Sequence, residues 1–358
     1  MSINRRLFCG AMLAAPFVSR AHAQSGGKRK LIYAAGQPTP GVHDELWRYA
    51  VPNQMGYFAE EGLDVEIQFT AGSSAVVQLV VGGGANLGQA NTAPIFGAIQ
   101  KGASIRMYCN SSPRYASGLA VLADGPIKEA KDISGKLIGV SSLASGRFPE
   151  AVAMVKAAGL VPDKDVGFVA VGVGAQASTA LSSNQVQGLY LWNSAYAIIQ
   201  GQGLKLNIIR DVFPNYQNLL DGGLLVSNDL LEKKPETIAK YNRAIAKGMV
   251  FAAANPEAAL DLCYKNWPDV AARSDKARAV DIAILKAIMP DYEYRNLPVP
   301  KFGYFPPEKV AFTTDFVTKA GQIAPGLDPE TTYTNGPVDL ANDFDIAAVE
   351  DAAKNFKP

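Results

Sequence analysis

The chain has 358 residues, of which 48% are hydrophobic and 19% charged, and its formal charge is +1. That composition supplies apolar material for two cores of ordinary domain size. The near-neutral balance gives no electrostatic ground for a nucleic-acid partner, and no stretch beyond the first residues has the length and apolarity of a membrane span.

The first residues read as an export signal. Arg5 and Arg6 precede the apolar run Leu7 to Val18, and Ala21-His22-Ala23 supplies the small-x-small pattern of a cleavage site. Residues 1–23 are therefore expected to be removed, placing the mature protein in the periplasm by the general secretory route or, given the arginine pair and Phe8, the twin-arginine route. The remaining cysteines, Cys109 and Cys263, are too far apart in sequence to signal a disulfide framework. His43 is then the one histidine left, so neither a metal centre nor a cofactor is expected.

Leu31 to Ala35 reads as a strand that ends in a polar, proline-rich loop, where Gln37, Pro38 and Thr39 are candidate ligand contacts. A helix through Trp47 and Val51 follows, closing near Gly62. Leu63 to Phe69 alternates Leu63, Val65, Ile67 and Phe69 with Asp64, Glu66 and Gln68, the period of a half-buried strand. It stops at Gly72, and Ser73 or Ser74 is a candidate N-cap for a helix carrying Val76, Val77 and Val80. A short strand near Ala85 to Gln89 leads to Asn91 and Thr92, either of which is a candidate cap for the helix that Pro94 starts. In an open α/β sheet these loops share the carboxyl edge of the strands, where such folds bind ligands.

Past strands at Ile105 to Asn110 and Lys136 to Val140, the loop holding Ser141, Ser142, Ser145 and Arg147 again precedes a helix, Pro149 to Ala158. Arg147 and Arg114 are the candidate partners for a carboxylate or sulfonate. Strands at Val166 to Val171, Val186 to Trp192 and Leu206 to Ile209 continue the pattern of strand, polar loop and helix, that of a parallel sheet. Trp192 ends one of them beside Asn193, placed as a ring platform and a polar contact. Helices are expected over Asp229 to Phe251 and Glu257 to Trp267, and the aromatic tail from Asp291 to Pro307 has no assigned place.

Met55 to Glu66 (MGYFAEEGLDVE), the Gly72-Ser73-Ser74 turn, Asn91-Thr92 and Thr334-Asn335 together resemble the nitrate, sulfonate and taurine group of ABC-transporter solute-binding proteins, including relatives that bind thiamine precursors. The run Gly82-Gly83-Gly84 departs from the group's pattern. The resemblance implies an α/β, two-lobed periplasmic-binding-protein fold of type II, with the ligand between lobes that close like a clamp. It implies that Tyr115 to Ala123 and Gly222 to Ser227 are the two crossover strands, with residues 28–122 in the first lobe, 123–222 in the second and 223–358 returning to the first. The implied function is extracytoplasmic capture of a small organic solute, anionic or aromatic, by a monomer that serves an ABC permease and its ATPase. A ligand-sensing module is the alternative, as is a relative of the pyrimidine-forming enzyme on this fold. The cysteine-rich iron motif of that enzyme is missing here, and no GxSxG elbow or P-loop is present.

Overall fold

A computed structural model describes residues 28–272 and 274–357. The export signal read in residues 1–23 lies outside the described residues.

Two five-stranded sheets build the molecule. In the first, β1 (Arg29–Ala35) runs parallel to β2 (Leu63–Phe69) and β3 (Leu87–Asn91), while β10 (Gly222–Ser227) lies antiparallel between β3 and β4 (Ile105–Cys109). In the second, β6 (Lys136–Val140) is parallel to β7 (Val166–Ala170) and β8 (Gly188–Trp192). There β5 (Ser117–Leu122) is antiparallel to β8 and to β9 (Leu206–Ile209). Each sheet is covered by helices on both faces, which is why strands such as β10 are apolar throughout rather than alternating. The edge strand β2 keeps a clean alternation, with Leu63 and Val65 buried and Asp64, Glu66 and Gln68 exposed.

The chain passes between the sheets twice, through residues 110–116 and 210–221. Each passage leads directly into one of the two expected crossover strands. Ser117–Leu122 already hydrogen-bonds to β8 and β9 in the second sheet, and Gly222–Ser227 is a central strand of the first. The linkers carrying the change of lobe are the polar stretches just ahead of those strands.

The helices that matter for the crevice start at strand ends: α1 (Ser73–Val81), α2 (Thr92–Gln100), α3 (Phe148–Ala157), α4 (Ala175–Ser182) and α5 (Asn193–Gly201). The C-terminal third supplies α6 (Pro235–Ala254), α7 (Pro256–Asn266) and α8 (Asp275–Tyr292). Helix α8 packs on α7 and also across on α5 of the second lobe. Here the aromatic tail finds its place: Tyr292, Tyr294, Phe302 and Phe305 are all buried against the first lobe.

The helix expected through Trp47 is wound differently. Leu46–Ala50 forms a π-type turn with all five residues buried, followed by a single α-turn, Val51–Gln54. Such widened turns recur at functional sites. This one brings Asp44, Glu45 and Arg48 inside rather than onto a solvated face, and Arg48 is 1% exposed.

Candidate functional site

A cavity of about 160 Å³ lies between the two sheets at the carboxyl ends of their strands. The first lobe lines it with Gly36, Gln37, Pro38, Asp44, Ala71, Gly72, Ser73, Gln89 and Asn91. The second lobe contributes Ser141, Ser142, Ser145, Arg147, Gly172, Val173 and Trp192, and the return crossing adds Asp221. The structure thus gathers Gln37, Pro38, Gly72, Ser73, Asn91, Ser141, Ser142, Ser145, Arg147 and Trp192 around one space, as the sequence led us to expect. Thr39, Ser74, Thr92 and Asn193 are not among the lining residues.

Each of those four has a local reason for its absence. Ser74 is exposed on α1, one residue past the turn that faces the cavity. Thr39 is exposed, and its carbonyl accepts from His43 Nε2 at 3.2 Å. Thr92 is buried in the first turn of α2. Asn193 turns away, donating its amide to the Asp291 carboxylate at the end of α8. Arg114 also lies elsewhere, tied to the Pro290 and Glu293 carbonyls.

The N-cap of α1 is Gly72, not a serine, and no side chain caps α1, α2, α3 or α5. Ser73 does other work: its hydroxyl donates to Asn91 Oδ1 at 2.8 Å and accepts from the Asn91 N–H at 3.1 Å. The Asn91 amide then donates to the Asp221 carbonyl at 2.8 Å, so the expected capping pair is instead a brace between α1, β3 and the return crossing. The uncapped start of α1 turns a positive helix end toward the cavity, whereas at α3 and α5 the leading N–H groups are taken: Phe148 donates to the Ser145 carbonyl at 3.1 Å, Asn193 donates to the Ala116 carbonyl at 2.9 Å, and Pro149 has no N–H.

Arg147 does not wait for a ligand carboxylate. Its Nη1 and Nη2 fork onto Asp221, Nη2 at 2.6 Å from Oδ2, and Nη1 also lies 3.4 Å from Glu150 Oε2. Tyr115 donates to the same Glu150 oxygen at 2.7 Å and shares a hydrogen bond with Tyr190. Burial pushes the Glu150 carboxyl up to about 7 against the downward pull of Arg147. A second buried cluster lies under the first lobe's side of the cavity. Arg48 bonds Asp44 Oδ2 at 3.2 Å and lies 3.7 Å from Glu45, Tyr292 donates to Asp44 Oδ1 at 2.6 Å, and burial again raises Glu45 to about 7.

Two glycines lie where the lobes face each other across the cavity. A Cβ at Gly146 would lie 2.5 Å from Asn91 Oδ1 and 2.8 Å from Ser73 Oγ, so a side chain there would push the lobes apart. Gly72 has φ of 145° and faces the Ala144 carbonyl across the same gap.

Asp44, Asp221, Gln89, Gly172 and Val173 were missed in the sequence. Asp44 and Arg48 have the i, i+4 spacing of a solvated helical ion pair, and Asp221 precedes two glycines with no motif around it. The available signal was the cluster Asp44, Glu45 and Arg48 set around Leu46 and Trp47 and followed by the apolar Tyr49-Ala50-Val51.

The NMT1/THI5-like family model matches residues 47–259. Riboflavin-binding protein RibY of Chloroflexus aurantiacus is 24% identical over 298 residues, covering 80% of this chain and 80% of that protein. The formylaminopyrimidine-binding protein of Halalkalibacterium halodurans is 28% identical over 233 residues, covering 63% of this chain and 67% of that protein. Among solved structures, a protein of Bordetella bronchiseptica RB50 has a TM-score of 0.68 at 23% identity, covering 88% of this chain and 98% of that one. The periplasmic aliphatic sulphonate binding protein SsuA of Escherichia coli has a TM-score of 0.59 at 15% identity, covering 85% and 91%. The resemblance read from MGYFAEEGLDVE and the loops around it therefore holds: the chain belongs to the NMT1/THI5-like family and has the two-lobed periplasmic-binding-protein fold.

Proposed function

We propose that this chain is the exported solute-binding component of an ABC importer and that it captures a small, single-ring, uncharged solute by closure of its lobes. The observation that carries the reading is the cavity itself, walled by both lobes and the return crossing, with Trp192 on one side and the uncapped start of α1 on the other. Its volume of about 160 Å³ falls below the roughly 300–1,000 Å³ of ordinary ligand clefts, which favours one ring over several. The Trp192 face offers a surface for that ring, and the N–H groups at the start of α1 suit carbonyl or ring-nitrogen acceptors.

The sequence favoured an anionic solute because the loops at Ser73-Ser74, Asn91-Thr92 and Ser141-Ser145 offer N–H and hydroxyl donors, with Arg147 and Arg114 as candidate partners. With Arg147 held by Asp221, a carboxylate or sulfonate would have to displace a buried partner, so we assign an uncharged ring instead. Capture without turnover is supported by the two curated relatives, both named as binding proteins, one for riboflavin and one for a formylaminopyrimidine. Delivery to a permease with its ATPase, monomeric action and export to the periplasm belong to the same proposal.

A thermal-shift panel tests it. Single-ring nitrogen heterocycles should raise the melting temperature while alkanesulfonates and riboflavin should not, since a solute at a hundred times its Kd adds roughly 2.7 kcal/mol. Stabilisation by sulfonates alone would overturn the assignment.

A further inference from the structure

We infer that Asp44 is the specificity-determining residue of the cavity and that it selects solutes carrying an exocyclic amino or ring N–H group; this rests on the single-ring reading above. The wall offers a solute donors in the first turn of α1 and in the hydroxyls of Ser141, Ser142 and Ser145, and acceptors in its carboxylates and in the amide oxygens of Gln37 and Gln89. A solute with acceptors alone would satisfy the donors equally well whatever its ring, so discrimination has to come from an acceptor in the wall.

Of the wall's acceptors two are carboxylates, which accept the stronger, charge-assisted bonds. Asp221 is the poorer reader, because both its oxygens lie in the Arg147 fork and its side chain is 8% exposed. Asp44 is held differently. Its two oxygens take one bond each from opposite sides, Oδ1 from the Tyr292 hydroxyl at 2.6 Å and Oδ2 from Arg48 Nη1 at 3.2 Å, and its side chain is 13% exposed. An ionised carboxylate has about four acceptor positions, so two anchors fix the group and leave capacity facing the cavity.

The anchors themselves are rigid. Arg48 is 1% exposed and also lies against Glu45 and the Ser112 hydroxyl, 2.8 Å from Nη2. Tyr292 packs its ring, tilted by 58°, with its centroid 4.4 Å from that of Trp47, and closes helix α8. A solute that fills the cavity strips water from Asp44. One with an N–H at that wall replaces the lost hydrogen bond, whereas a methylated nitrogen leaves a buried carboxylate without it.

The test uses the mature protein with two probes, an aminopyrimidine and its N,N-dimethyl counterpart, titrated by calorimetry into wild type, Asp44→Asn and Tyr292→Phe. Wild type should prefer the amino probe by about tenfold to a hundredfold, the range for a hydrogen bond to a charged group. In Asp44→Asn the charge and one of the two anchored acceptor oxygens are lost, so the preference for the amino probe should vanish. Tyr292→Phe removes the hydroxyl that fixes Oδ1, leaving the carboxylate free to turn, and should shrink the preference between the two probes. It decides the matter should Asp44→Asn fail to fold. Equal binding of both probes to wild type, or a preference unchanged in the variants, would overturn the role of Asp44 and leave the single-ring reading standing. Binding of neither probe to wild type would overturn both.

Discussion

Arg147 and Asp221, 74 residues apart in the chain, form a forked ion pair that ties the start of a second-lobe helix to the segment leading back into the first sheet. Both side chains are about nine-tenths buried, so neither finds water in place of the other. Removing one partner should be strongly destabilising. Arg147→Ala or Asp221→Ala alone should cost about 3–5 kcal/mol in urea unfolding, whereas Arg147→Met with Asp221→Leu should recover most of the loss. Equal, additive losses in the double variant would show that the pair contributes through something other than uncompensated charge.

The Glu150 carboxyl beside this pair gives a pH dependence with a defined sign. Its folded-state pKa is raised, from an ordinary 4.5 to about 7, mainly by burial. The folded protein thus holds a proton that the unfolded chain releases, and stability falls as pH rises across that window. The contribution is full below about 4.5 and gone above about 7. Glu45 titrates in the same sense and range. Glu150→Gln should flatten the slope between these limits without removing it. A wild-type stability that rises with pH over the same interval would contradict the burial argument.

Gly146 sets how closely the lobes can meet. A methyl group there lands on Ser73 and Asn91 across the cleft, so Gly146→Ala should weaken solute binding by at least about tenfold while leaving the melting temperature of the empty protein within a few degrees. Small-angle scattering should show wild type compacting on binding and the variant compacting less.

The architecture was legible in the sequence wherever periodicity and punctuation agree. The alternation of Leu63 to Phe69 and the serine loop before the Pro149 helix both lie where the pattern put them. Ten of the fourteen candidate site residues line one cavity because strand ends in an α/β sheet share an edge, a consequence of topology that sequence order alone conveys. What did not show was pairing. Nothing local distinguishes Arg147 free for a ligand from Arg147 held by a residue 74 positions later, nor Ser73 as a cap from Ser73 bracing Asn91. Asp44 was hidden for a related reason. Its burial depends on the widened turn at Leu46–Ala50 and on Tyr292, from the opposite end of the chain.

The ring platform is the remaining element of the site. Trp192→Ala should weaken the bound solute by about 0.5–1.5 kcal/mol beyond the loss of contact area, and should affect ring-bearing solutes more than open-chain ones of equal polarity. Competition binding with a matched pair of such compounds measures the difference.

The most direct measurement of the central claim is calorimetric titration of a solute found in the thermal-shift panel into wild type, Gly146→Ala and Trp192→Ala, with folding of each variant checked by circular dichroism. The predicted result is one site per chain in wild type, with affinity reduced at least about tenfold in Gly146→Ala and by a smaller but clear factor in Trp192→Ala. Unchanged affinity in both folded variants would contradict it, since the solute would then bind somewhere other than between the lobes.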